Sequence, residues 1–197
     1  MARAAIIVPG MAVHEFLGHF VGAAAAADRR YVRTGDATEI RTGIEVWERL
    51  SGDGALAAEP PEALVDVYLA VSMLYARRHE AGDVARALRY LEQAQRHAAP
   101  GSFADTQARM SRAACLMVRY QADGRAEDLD GAIDAWTGLL TTEARPLAAA
   151  NLGRALVTRG RAADIPEGRR LLGLASAEMP RDHPARRDVE LALRAAG

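Results

Sequence analysis

The sequence predicts an all-α chain of repeated helical hairpins, and three observations carry that prediction. Apolar residues recur three and four apart between regularly spaced breakers, as in Leu64, Val67, Tyr68, Val71, Leu74 and Tyr75. Alanine, leucine and arginine dominate over β-branched residues, and these side chains lose least on entering a helix. The third observation is a repeat counted from turn glycines. Trp47, Trp136 and Leu172 each lie twelve residues after Gly35, Gly124 and Gly160, and a small residue (Gly43, Ala132, Gly168) lies eight after each. A unit of this length cannot bury its apolar face alone and must stack on its neighbours.

The breakers divide the 197 residues into about four hairpins and a last helix, read as one domain over 1–197. The first hairpin covers 11–50, turning at Gly35. The second covers 61–98, turning at Gly82, after a Ser51–Pro61 stretch whose Gly52-Asp53-Gly54 reads as linker. The third covers 103–141 around Gly124, and the fourth 146–178 around Gly160. Residues 182–195, with an arginine-rich outer face, are expected to cap the array. Asp83, Asp105 and Asp164 are expected N-caps, because a carboxylate there accepts from unpaired first-turn amides. The one strand-like run, Ala4 to Val8, is short and isolated.

Composition removes several classes of function. Net charge is −1, so no global field draws in nucleic acid or an anionic membrane. Every Lys+Arg position is arginine, so lysine Schiff-base chemistry and a P-loop phosphate lysine are excluded within this chain. The single cysteine, Cys115, rules out an intramolecular disulfide and a thiolate metal cluster, and its apolar neighbours make it an expected inert thiol. No cofactor is expected. Pro9 and Gly10 break the short apolar start before it matches a signal peptide, and no apolar stretch is long enough to span a membrane. The expected location is the cytoplasm.

Asn151-Leu152-Gly153-Arg154-Ala155-Leu156, followed by Gly168 and Pro180, resembles the tetratricopeptide repeat: the two small residues sit where its paired helices approach closely. Gly82-Asp83 with Ala87, Leu88, Leu91 and Ala94 fits that motif's ordinary turn. The longer turns, at Arg33-Thr34-Gly35-Asp36 and Asp123–Asp130, are similar to tandem repeats of actinobacterial multidomain proteins. Asp28, Tyr75 and Met117 depart from the pattern at small-residue positions. The resemblance implies a right-handed superhelix whose concave groove holds a protein or peptide, with self-association as one form of that use. The groove positions it implies include Ser72 and His79, Ser111 and Gln121, and Asn151 and Arg154. The apolar N-terminal helix, with Val13, Phe16, Leu17, Phe20 and Val21, is a second expected contact surface.

His14-Glu15-Phe16-Leu17-Gly18-His19 resembles the HExxGH zinc motif of the dipeptidyl peptidase III family. That resemblance implies a metal held by His14 and His19, with Glu15 activating water, as the alternative function of a helical-repeat enzyme or small-molecule binder. On a regular helix five residues rotate the two histidines about 140° apart, so a ligand pair requires an irregularity at Gly18. The acidic run Glu127, Asp128, Asp130 and Asp134 reads as first-turn charge complementing a helix dipole.

Overall fold

The computed structural model describes residues 12–52, 56 and 59–196, so the Ala4–Val8 run and Asp53-Gly54 lie outside the described residues. Among the described residues the chain is all-helical: α1 (Val13–Thr34), α2 (Thr38–Gly52), a 3-10 turn at Pro61–Leu64, α3 (Val65–Arg78), α4 (Asp83–His97), α5 (Phe103–Asp123), α6 (Ala126–Thr137), α7 (Arg145–Arg159), α8 (Asp164–Glu178) and α9 (Arg186–Ala195). They form two compact units, Met1–Ala108 and Arg109–Gly197, with the boundary inside α5.

Two helix ends differ from the periodicity. α6 stops at Thr137 because the amides of Leu139, Leu140 and Thr142 bond to carbonyls three residues back, which tightens the chain into turns. α9 starts at Arg186 rather than near 182. Pro184 disfavours helical backbone at His183, whose ring Nδ1 accepts from the Ala185 amide.

In the first unit α3 packs on both α1 and α2 and pairs with α4, so it is buried on several sides. That explains its mixed apolar surface. Trp47 is the centre of an aromatic cluster: Phe20 lies 6.2 Å away, Tyr68 6.3 Å and Tyr90 5.4 Å between ring centroids. Its indole N–H donates to the Tyr90 hydroxyl at 2.7 Å. Tyr75 stacks on Tyr90 with planes 6° apart and donates its hydroxyl to Glu48 Oε1 at 3.0 Å. Tyr75 therefore replaces a small residue by joining the aromatic core. Asp28 is satisfied by Arg77 at 2.6 Å.

In the second unit α7 pairs with α8 through direct backbone approach at Gly153 and Gly168, flanked by buried Leu152, Leu156, Leu171 and Leu172. α9 packs on α8 through Val189. Trp136 is the counterpart of Trp47, but its buried Nε1 has no hydrogen-bond partner among the described residues. The difference predicts an asymmetry. Trp47→Phe loses a bond and strands the Tyr90 hydroxyl, at about 2–3 kcal/mol. Trp136→Phe removes similar volume but relieves an unpaired donor, so it is expected to cost about 1 kcal/mol less. Urea melts followed by the remaining tryptophan and by circular dichroism check this order.

Three of the expected N-caps do something else. Asp83 and Asp164 are the first residues of α4 and α8, and each receives a two-pronged arginine. Arg78 bonds Asp83 at 2.8 and 2.7 Å, and Arg159 bonds Asp164 at 2.7 and 2.9 Å. At the start of α5 the side-chain cap is Ser102, whose hydroxyl accepts from the Asp105 amide, while Asp105 accepts from the Gly101 amide. Asp83 and Asp164 share one cause: a carboxylate facing a guanidinium on the preceding helix gains more from a charged fork than from one amide.

Candidate functional site

The forks tie the two helices of a hairpin and follow the turn glycine. In the third hairpin Arg119, five before Gly124, bonds Asp128, four after it, at 2.7 and 2.6 Å. The same offsets from Gly35 give Arg30 and Glu39, which pair at 2.5 Å on the surface. Asp128 is held below the usual carboxylate range, chiefly by Arg119, and Asp164 likewise by Arg159. Burial pushes the Asp83 carboxyl up, but Arg78, the Glu80 amide and Arg86 together hold it below that range. The acidic run of α6 is thus partly structural, with Asp128 in a fork and Asp130 bound to Arg159 at 2.8 Å. Arginine and acid at matching offsets from Gly35 and Gly124 were visible in the sequence, but only the packing shows that they meet.

The groove positions implied by the repeat resemblance are dispersed. Ser72 is 3% exposed and its hydroxyl donates to the Leu69 carbonyl, so the structure places it in the core of the first unit. The physical reason is the insertion of α3 between α1, α2 and α4. His79 is exposed, but it ends α3 in the left-handed region at φ 57°. Gly35, Gly124 and Gly160 hold the equivalent helix-end role at φ near 70° without a Cβ penalty. His79→Gly is therefore expected to raise stability by about 0.5–1 kcal/mol, read as a higher urea midpoint. In the second unit Ser111 is half-buried, Gln121 and Arg154 are exposed, and the half-buried Asn151 amide lies 3.8 Å from Met110 Sδ.

In the first unit a cavity of about 530 Å³ lies between α1 and α2. Phe16, Phe20, Ala23 and Ala27 supply the α1 side, and Gly43 and Val46 supply the α2 side. Helix geometry explains the set. Positions 16, 20, 23 and 27 form one stripe of α1, while Leu17 lines a different cavity with Val67 of α3. Exposed Ala23 on α1 leaves space that a larger side chain would fill, whereas at Gly43 a Cβ would already meet Leu74 of α3 at 2.9 Å. Glu39, paired to Arg30, stands at one end with Thr42 a turn further along α2, and His19 and Arg49 stand at the other end. Arg49 is exposed and makes no ion pair among the described residues.

The expected apolar contact surface of α1 is only partly bare. Leu17 and Phe20 are buried, and Val13, Phe16 and Val21 are half-buried. α1 is helical across Gly18, so His14 and His19 stay on different faces. His14 lines a cavity of about 240 Å³ with Glu59, Asp66 and Val67, whereas His19 lines the α1–α2 groove. No cluster of three or more histidine, cysteine, aspartate or glutamate side chains arranged for a metal occurs among the described residues. Glu15 is exposed. Cys115 is buried, and burial pushes its thiol up to about 11.

No family model matches the chain, and neither does any curated protein. Two crystal structures of nearly identical TPR-like repeats from a Podosopora anserina kinesin-light-chain-type protein, one a point variant, are similar to it. The variant superposes with a TM-score of 0.63 at 20% identity, covering 94% of this chain and 87% of that one. The other gives 0.60 at 19% identity, covering 91% and 86%. The fold is a TPR-like array of helical hairpins.

Proposed function

We propose that the chain is a non-catalytic protein-binding module of the cytoplasm, and that its receptor surface is the α1–α2 groove. The observation that carries this reading is an open, mostly apolar cavity of about 530 Å³ whose walls are packed helices and whose charged groups stand at its ends. A groove of that form accepts the apolar stripe of a helix, while its charged ends set direction. In the second unit, exposed Arg154 beside Asn151 on α7 provides a second, polar contact face. The long-turn hairpins at Gly35 and Gly124 support grouping the chain with the tandem repeats of actinobacterial multidomain proteins. No helix among the described residues is long and apolar enough to cross a membrane.

Benzoylphenylalanine placed at Ala23, in the groove, and separately at Arg29, an exposed α1 position outside it, tests the reading. Irradiation of the native complex is expected to cross-link a protein from position 23 and not from position 29. Equal cross-linking at both positions, or none at 23, overturns it.

A further inference from the structure

We propose that the occupant of the α1–α2 groove is α9 of a second copy of the chain, in a head-to-tail contact. This rests on the reading of the groove as a protein-binding surface. Within its own unit α9 is held by one side, where Val189 is buried. Asp188, Leu191 and Ala195 recur at i, i+3 and i+7, so they share another face, and all three are exposed. Leu191 is 50% exposed, one of the few large apolar side chains left to solvent. Ala23, small and exposed on the α1 wall, leaves room for a branched side chain of this kind.

The charges agree with one orientation. Arg49 stands at the groove end nearest the start of α1 and has no partner among the described residues. Asp188 lies in the first turn of α9 and is equally unpaired among them. With Leu191 seated between the helices, Asp188 lies about 4.5 Å further along the helix axis, toward Arg49, when α9 runs antiparallel to α2. The contact uses different surfaces on the two copies, so it is heterologous and propagates from copy to copy.

The test is sedimentation equilibrium of the full chain with one variant on each surface, Ala23→Glu in the groove and Leu191→Glu on α9. Both positions are exposed on helices where glutamate is well tolerated, and circular dichroism verifies folding. The wild type is expected to gain mass with concentration. Each variant alone is expected to associate about a hundredfold more weakly. An equimolar mixture of the two retains one intact groove and one intact α9, and is expected to form a 1:1 dimer. Arg49→Asp should weaken association, and Asp188→Arg in the same chain should restore it. A wild type that stays monomeric at its solubility limit overturns the proposal, as does a mixture no more associated than its parts. If the groove still cross-links a different protein while the chain is monomeric, the groove reading stands and the second copy as occupant falls.

Discussion

Gly153→Ala is expected to destabilise the second unit by about 2 kcal/mol. A Cβ built at Gly153 lies 2.8 Å from the Gly168 carbonyl oxygen, 2.9 Å from Leu172 Cγ and 3.2 Å from the Leu172 amide nitrogen. Two of these are main-chain atoms of α8, so the clash is relieved only by moving a helix. Overpacking of that kind costs up to about 3 kcal/mol, and alanine returns about 1 kcal/mol of helix propensity. The reciprocal change meets the same wall: a Cβ at Gly168 lies 2.9 Å from the Gly153 carbonyl oxygen. The double variant is therefore expected to cost less than the sum, since helices already forced apart admit the second methyl group. Gly173→Ala, also on α8 but with nothing within 4 Å of its Cβ, is the control, and should stabilise by about 0.5–1 kcal/mol. Urea melts followed by Trp136 fluorescence report these values for the unit that carries both glycines. A neutral Gly153→Ala would mean that α7 and α8 do not approach at this distance.

The second large effect belongs to the Arg78–Asp83 fork. The Asp83 side chain is 0% exposed and Arg78 is 14% exposed. Beyond the two Arg78 bonds, the carboxylate accepts from Arg86 at 3.1 Å and from the Glu80 amide at 3.0 Å. Asp83→Ala leaves Arg78 without its partner and opens the Glu80 turn, at about 3 kcal/mol. The exposed Arg30–Glu39 pair, cut in the same way, should cost under about 1 kcal/mol. The fork also predicts pH dependence. The folded state holds Asp83, Asp128 and Asp164 below their unfolded pKa, so the unfolded chain binds more protons as acid is added. Their contribution is complete above about pH 4 and is lost as pH falls through the lowered folded values. Asp83→Asn should make the acid limb of the stability profile shallower while leaving the region above pH 5 flat. An unchanged acid limb would show that this carboxylate titrates no differently in the folded protein.

Helix type and approximate extent were legible because both rest on local physics. Apolar spacing, alanine content and breaker residues act within one or two turns, and they account for α3, α4, α7 and α8. The small residues Gly153 and Gly168 also announced a close helix approach before any distance was known. The losses came where a second helix intervened. Asp83 and Asp164 look like caps until an arginine from the preceding helix reaches them. Ser72 looks accessible until α3 is seen to be enclosed, and Leu17 and Phe20 look bare until α3 and Trp47 cover them.

The candidate site divides the same way. Phe16, Phe20, Ala23 and Ala27 form a stripe that follows from α1 alone, and His14 and His19 diverge by the same helical rotation. That the stripe faces Gly43 and Val46 across an open cavity, with Arg49 at its end, depends on how α2 folds back on α1. Sequence by itself determined the all-α hairpin class, the repeat phase around Gly35, Gly124 and Gly160, and the absence of lysine chemistry, because each is a matter of composition or near-neighbour spacing. Only tertiary structure decided which charged side chains became forks and where space was left between helices. Those outcomes depend on side chains distant in sequence competing for the same volume.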